Sequence, residues 1–441
     1  MSLAEGQTHE QGAREPVRPG VARAAGDSGQ PDDPPLAGVR VVDLSTSYAG
    51  PTATMYLADM GAEVIKVERP GDGDDARSWG PPFVGSDSAW FHSANRGKRS
   101  IAINLRSVGG QRVLGRMLER ADVFVENLNP AKLESLGLDP EAVRRRYPRV
   151  IYCAISGFGL TGPDSELAGY DLVAQARSGL MSVTGQRGGA PQRVSTALSD
   201  IVTGLVAAFA VTAALRRQER TGEGEVVDAS LFDADLALMA PRIASYLAGE
   251  PEPRPSGGTD SVLAVYQPFE TVDRPIVVAI GNDAIWRRFC SAVGVAELAA
   301  DPELADNAGR RAARARIIPR VAERLRSRTA SQWLRTLADA AVPAAPIQTL
   351  SEVVADPQVG ARRVIRDLPG ADGARPRVVA SPWRFAGANG GARSSVGSSA
   401  EAVGADTVDI LRAHGFSADA IDGLLASGAV AGANREEDGP R

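Results

Sequence analysis

The sequence predicts an α/β fold: a doubly wound parallel sheet forming a large domain, with a smaller α+β domain attached. Three observations carry this reading. Short apolar runs alternate with helix-patterned segments from Leu36 onward, the pattern of a helix-covered parallel sheet. The 441 residues, 43% hydrophobic and 23% charged, give ordinary globular composition and room for two or three packed units. A proline- and glycine-rich stretch at 250–260 then interrupts the alternation, and a different pattern follows it.

Residues 1–35 hold many Gly and Pro, no aromatic residue and few large apolar ones. Such a segment cannot bury enough surface to offset its ordering entropy, so a disordered tail is expected. Met1–Glu10 does not read as a signal peptide. Val39–Leu44 reads as a buried strand, Gly50–Met60 as a helix and Glu63–Glu68 as the next strand. Ser100–Leu105, Val108–Arg120 and Asp122–Glu126 repeat strand, helix and strand. Pro140–Tyr147 is helical and Arg149–Ile155 gives a fifth strand. Asp171–Gly179 reads as a helix, 182–194 as a Gly- and Gln-rich loop, and Ile201–Arg217 as a helix apolar nearly all round, hence buried. Its apolar run, Ile201–Leu215, is short for a membrane span. Val226–Ala229 is a strand and Leu231–Leu247 a helix, and residues 232–258 link the domains.

The small domain is set at 259–355. It opens with strands at Ala264–Glu270 and Pro275–Ile280 about an Asp-Arg turn, followed by a helix at Asp283–Val293 and an Arg-rich pair of helices over Arg310–Leu337. Residues 36–231 and 356–428 make the large domain, with a Gly/Ser loop at Ala386–Gly404 and a last helix near Ser417–Ala426. Residues 429–441 are expected to be a flexible tail.

Charge and composition exclude several functions. A net charge of −5 argues against a nucleic-acid partner held by a basic face. Cys153 and Cys290 are far apart and the three histidines are scattered, so neither a disulfide framework nor a metal site is expected. Cys153 sits in an apolar strand and reads as core, and His92 reads as structural. A cytoplasmic soluble enzyme is the expectation. A first strand, turn and helix with Glu68 closing the second strand invite a dinucleotide reading. The turn Ser45–Pro51, however, has one glycine where the pyrophosphate fingerprint needs three, and no P-loop occurs. Nicotinamide and P-loop chemistry are therefore disfavoured.

Two carboxylates stand at helix starts. Asp200, at or near the N-cap of the buried helix, reads first as a cap accepting an N–H bond. The same position would keep it ionised and aimed, as a nucleophile on an activated acyl group needs. Asp171 raises the same pair of readings. Gly257-Gly258 is an inter-domain turn or a mobile loop that approaches a substrate closely. Asn95-Arg96-Gly97-Lys98-Arg99 is a solvated turn or a phosphate-binding patch. The residues by themselves reach an α/β enzyme with carboxylates at helix starts.

Several stretches then carry a resemblance. Leu36–Arg77 contains Ala49-Gly50-Pro51, Leu57-Ala58-Asp59-Met60-Gly61-Ala62-Glu63-Val64 and Glu68-Arg69-Pro70. Asn95–Leu105, Ala121–Asn127, Ile155-Ser156-Gly157-Phe158-Gly159, Gly169–Gly179 and Thr221-Gly222-Glu223-Gly224 follow in order. Over about 36–428 the chain resembles the family III CoA-transferases, whose relatives include formyl-CoA and carnitine CoA-transferases and 2-methylacyl-CoA racemase. The resemblance implies a Rossmann-like large domain and an interlocked, ring-like homodimer. It implies transfer of CoA from an acyl-CoA to a free carboxylic acid, with Asp200 as the nucleophile that forms an aspartyl anhydride and then an aspartyl-CoA thioester. Asp171 beside Tyr170 takes the family's second acidic position, Gly257 and Gly258 its mobile loop, and Tyr48 and Ala49 the backbone that holds the oxyanion. CoA would contact Arg69, Ile103, Asn104, Leu105, Arg106, Asn127 and Leu128. Acyl-CoA, CoA and a carboxylic acid are then substrates, with no tightly bound cofactor, metal, nucleic acid or membrane partner. Departures exist too. Tyr170 stands where the racemase branch has His, which removes one proton-transfer group and disfavours racemisation. After Asn127 the chain has Leu128-Asn129-Pro130-Ala131 in place of the family's aromatic, basic, Pro and Gly, with Lys132 close by. An acyl-CoA racemase or epimerase, and a non-catalytic CoA-binding subunit, are the alternatives.

Overall fold

The computed structural model describes residues 33–370, 373–386, 392–393 and 397–433. The expected N-terminal tail lies outside the described residues up to residue 32, as does the C-terminal one from 434. Six strands, β1 (Arg40–Asp43), β2 (Glu63–Glu68), β3 (Lys98–Ile103), β4 (Val123–Glu126), β5 (Ile151–Ser156) and β6 (Val226–Ser230), pair in parallel in the order β3-β2-β1-β4-β5-β6. The register is direct, with Val41 opposite both Val64 and Val123.

The pleat sends alternate residues to opposite faces. Val42, Ile65, Val67, Phe124 and Tyr152 join one apolar cluster, which α2 (Val108–Leu118) covers with Val113, Leu114 and Met117. Val41, Val64, Val123, Ile151 and Cys153 join the other, covered by α1 (Ala49–Asp59) and α4 (Leu198–Thr221). Two buried faces explain why apolar residues stand on both sides of the pleat in these strands, as in Val41-Val42 and Val64-Ile65. In the chain α3 (Asp171–Arg177) precedes α4, and α5 (Leu231–Leu247) follows β6.

Several expectations are corrected. Val430–Ala431, expected to be flexible, forms β7, antiparallel to β3. Val430 is buried there and Thr407 Oγ1 donates to the Ala431 carbonyl at 2.6 Å, which together offset the ordering of the segment. α4 begins at Leu198 and is 24 residues long, which makes it long and apolar enough by composition to cross a membrane. Its Ala207, Ala208 and Val211 pack on the sheet. The Arg-rich segment holds three helices, Asn307–Ala312, Arg314–Leu325 and Ala330–Asp339, because Asp306 caps the first and a Thr329 capping box starts the third. These helices cover an antiparallel sheet of Tyr266–Phe269, Ile276–Ala279 and Ala344–Pro346 around a separate apolar cluster containing Trp286, Phe289, Ile317 and Trp333.

Candidate active site

Strand order reverses between β1 and β4, so the loops leaving their carboxyl ends diverge and open a crevice. The two loops are tied across it. Thr46 N–H donates to Asn127 Oδ1 at 2.9 Å, and Asn127 Nδ2 donates back to the Thr46 carbonyl at 2.8 Å. On one side of this tie is a cavity of about 440 Å³ lined by Ala49, Asn127, Leu128, Tyr170 and Asp200. On the other is a cavity of about 510 Å³ lined by Arg69, Ile103, Asn104, Leu105, Arg106 and Lys132. Thr46 and Leu128 line both. Arg69, Arg106 and Lys132 thus line one cavity, beside Glu68 and Asp74, and Asp200 lines its neighbour.

Asp200 lies in the first turn of α4, where Ala197 holds the N-cap position without a side-chain cap. The cap is supplied from elsewhere. Asp171 Oδ1 accepts from Ser199 N–H at 2.9 Å, so one expected site carboxylate satisfies the helix start that carries the other. Asp171 Oδ2 accepts from Gln175 Nε2 at 2.8 Å, and Gln175 Oε1 accepts from Val194 N–H at 2.9 Å, fastening the preceding loop. Asp200 is left outside this bonding. Burial, and then the like charges of Asp171 and Asp235, push its carboxyl up to about 7. This corrects the expectation that the helix end holds Asp200 firmly ionised: desolvation and two acidic neighbours outweigh a helix-end effect of about 1 kcal/mol.

Close packing brings Asp200 to the start of α1. Gly204, one turn along α4, meets α1 so closely that an added Cβ would lie 2.8 Å from the Thr52 side chain and 2.9 Å from the Ala49 carbonyl. Tyr48 is the N-cap of α1 and shares a 2.8 Å hydrogen bond with Ser93 Oγ. Before it, Ser47 has φ of 69°, held there by its N–H bond to Asp74 Oδ1 at 3.0 Å. Tyr170 is exposed and lines the Asp200 cavity, while Asp171 is buried behind it. Gly257 and Gly258 are exposed with φ of 66° and 86°, beside Arg187 and Pro268 respectively, and are not among the residues lining either cavity.

Two acidic residues join the site that the motifs do not single out. Glu126, the last residue of β4, lines the Asp200 cavity and accepts from Leu128 N–H at 2.8 Å, and burial pushes it up to about 7. Asp235 on α5 is fully buried behind Ser199. Its signal in the sequence is an acid on the stripe Leu231, Ala234, Asp235, Met239, the buried face of an apolar helix.

The Asn95–Arg99 cluster is neither a solvated turn nor a phosphate patch. Arg96 is buried against Asp59, and Lys98 against Asp43 at 3.0 Å. Glu68, which helps invite the dinucleotide reading, is held by Arg77 through two bonds of 2.7 and 2.8 Å. Cys153 is core, and buried His92 meets the Val84 carbonyl through Nε2 at 3.0 Å.

Comparison with known proteins finds a match to the family described as CoA-transferase family III over residues 36–400. Human succinyl-CoA:glutarate CoA-transferase is 42% identical over 325 residues, 74% of this chain and 74% of that protein. The succinate–glutarate CoA-transferase of Agrobacterium fabrum is 40% identical over 346 residues, 77% of this chain and 86% of that protein. The crystal structure of a CAIB/BAIF family protein from Brucella suis superposes with a TM-score of 0.75 at 37% identity, covering 87% of this chain and 100% of that one.

Proposed function

The chain belongs to CoA-transferase family III and is an enzyme of that family, and from this premise we propose that it moves CoA from an acyl-CoA to a free short dicarboxylic acid through Asp200. The position of Asp200 carries the reading: it lines a cavity that shares Thr46 and Leu128 with the neighbouring one, where Arg69, Arg106 and Lys132 gather. A thioester bound across the two would set its phosphates among the cations and its carbonyl at the carboxylate.

Asp200 Oδ attacks the thioester carbonyl carbon, the C–S bond breaks, and CoA leaves as the thiolate. That thiolate attacks the aspartyl carbonyl of the anhydride, releasing the donor acid and leaving aspartyl-CoA thioester. The acceptor carboxylate displaces CoA from Asp200, and the returning thiolate takes the acceptor acyl group and frees the aspartate. Backbone at Tyr48 and Ala49, at the start of α1, holds the developing oxyanion, and Asp171 keeps the first turn of α4 in place. Gly257 and Gly258 serve as the mobile loop. Succinate and glutarate in the names of two relatives support a dicarboxylate acceptor.

The large domain is assigned Rossmann-like winding, and the protein a place in the cytoplasm as an interlocked, ring-like homodimer. Phe209 on α4 and Leu247 on α5, each 78% exposed, support burial against a second copy, which sedimentation tests. Mass spectrometry after incubation with succinyl-CoA and trapping with hydroxylamine or borohydride tests the mechanism. An adduct on the Asp200 peptide is expected. Deuterium wash-in at the α-carbon with no adduct would overturn the reading in favour of racemisation.

A further inference from the structure

Asp235 occupies the junction of three helices and has no part in the steps above. Its carboxylate is fully buried. Oδ2 accepts from Ser199 Oγ at 2.8 Å and from Ser178 Oγ at 3.4 Å, while Oδ1 is buried with no hydrogen-bond partner among the described residues. Ser199 is itself fully buried and held twice, by its hydroxyl on Asp235 and by its N–H on Asp171. It directly precedes Asp200. A carboxylate kept in such a place works against stability, since a buried charge without a cation is disfavoured and an apolar residue would fill the junction better.

We infer that Asp235 is a positioning residue for Asp200, fixing the first turn of α4 through Ser199 and setting a like charge behind the nucleophile. The proposal rests on the assignment of Asp200 as nucleophile. The charged and titratable groups facing Asp200 are Asp171 from α3, Asp235 from α5 and Tyr48 from the start of α1. Arg193, at 3.9 Å from Asp171, is the nearby cation. Asp171 anchors the backbone of the turn and Asp235 its side chain, so the turn is clamped from both sides before any substrate arrives. Burial raises Asp235 as well, and removing this acidic neighbour lets Asp200 ionise at lower pH.

Asp235→Asn keeps the shape and an acceptor for Ser199 while removing the charge. The expected result is a transfer rate within a few-fold of wild type, with its acid limb moved down by about half a pH unit. A carboxyl-carbon NMR titration of the Asp200 signal, assigned with Asp200→Asn, should move by the same amount without reference to turnover. Asp235→Ala, which also frees Ser199, should lower kcat by about tenfold with KM for acyl-CoA little changed, and Asn should restore most of that loss. A folded Asp235→Asn protein whose rate limb and Asp200 titration both stay at the wild-type positions overturns the proposal. Asp235→Ser replaces it if Asn does not fold. Full transfer by Asp200→Ala would instead overturn the nucleophile assignment, so the two failures are distinguishable.

Discussion

Two sets of buried carboxylates lie near the carboxyl ends of the same sheet, and they differ in one respect. Around β1–β3 nearly every acid has a cation: Asp43 faces Lys98, Asp74 faces Lys66 at 2.8 Å, and Glu68 and Asp87 share Arg77. At the starts of α3–α5 the acids Asp171, Asp200 and Asp235 face one another. Lys98 and Lys66, with hydrogen bonds from Ser45 and Thr54, bring Asp43 down to about 2 despite complete burial. Asp200, with acidic neighbours, stands near 7. Asp59 is raised by burial although Arg96 opposes the shift. Pairing therefore makes the first set a scaffold under the Ser45–Tyr48 loop; in the second set Arg193 stands 3.9 Å from Asp171, and Asp200 is left ready to change charge.

The sharpest break of this comparison is Asp200→Asn. Transfer should fall by about 10⁴-fold or more, as for removal of a nucleophile. Stability should rise. The Asp200 carboxyl binds its proton more tightly folded than unfolded, so the wild type loses stability as pH rises from about 4 through 7, and the neutral amide escapes that loss. Thermal unfolding at pH 8, 5 and 3.5 checks this: the variant's advantage should be largest at pH 8, smaller at pH 5 and absent at pH 3.5. The wild-type rate should rise with pH through an acid limb near 7, where the carboxylate forms.

On the paired side the sign is opposite. Asp43→Ala leaves Lys98 and Lys66 buried and mutually repelling, and should cost about 3–5 kcal/mol in a urea unfolding series. In the wild type, Asp43 contributes stability above its unfolded pKa, which is lost as pH falls toward 2. If the two substitutions shifted stability in the same direction, the distinction between the two sets would fail. A middle-sized effect belongs to the joint between α1 and α4. Gly204→Ala forces a methyl onto Thr52 and the Ala49 carbonyl, and a backbone oxygen cannot move aside as a side chain can. It should cost about 1–3 kcal/mol and lower kcat by about tenfold by displacing the Asp200 turn.

The sequence displays one side of this comparison better than the other. The strands are legible because both faces are buried, so Val39–Leu44 and Glu63–Glu68 stand out as apolar runs against their loops. Leu231–Leu247 is legible from end to end, because Ser230 caps it by accepting from Asp233 N–H and Gly249 follows it. Asp200 and Asp171 are visible as acids at helix starts, but that Asp171 caps the helix carrying Asp200 depends on two segments meeting in space. Arg96 and Lys98 look solvated because their partners Asp59 and Asp43 lie 37 and 55 residues away. Ala89–Asn95 is a helix too short and mixed to declare itself before its Ser88 cap is seen. Long-range charge pairing is thus the part that local pattern does not carry, and it is also what separates scaffold from site.

The smallest expected effect concerns the cations themselves. Those of the scaffold are buried in fixed pairs, whereas Arg106 and Lys132 are exposed at the second cavity, in reach of a ligand. An exposed charge contact contributes about 0.2–1 kcal/mol, so Arg106→Ala or Lys132→Ala should raise KM for acyl-CoA by about two- to fivefold and leave kcat alone. Arg69→Ala should do less, since Asp75 already holds that guanidinium. Initial rates at low and high salt make the test: the defect of each variant should shrink as salt screens the wild-type contact. A rise in KM for the acceptor acid in place of acyl-CoA would reverse the assignment of the two cavities, with Asp200 still facing the cavity that Tyr170 lines.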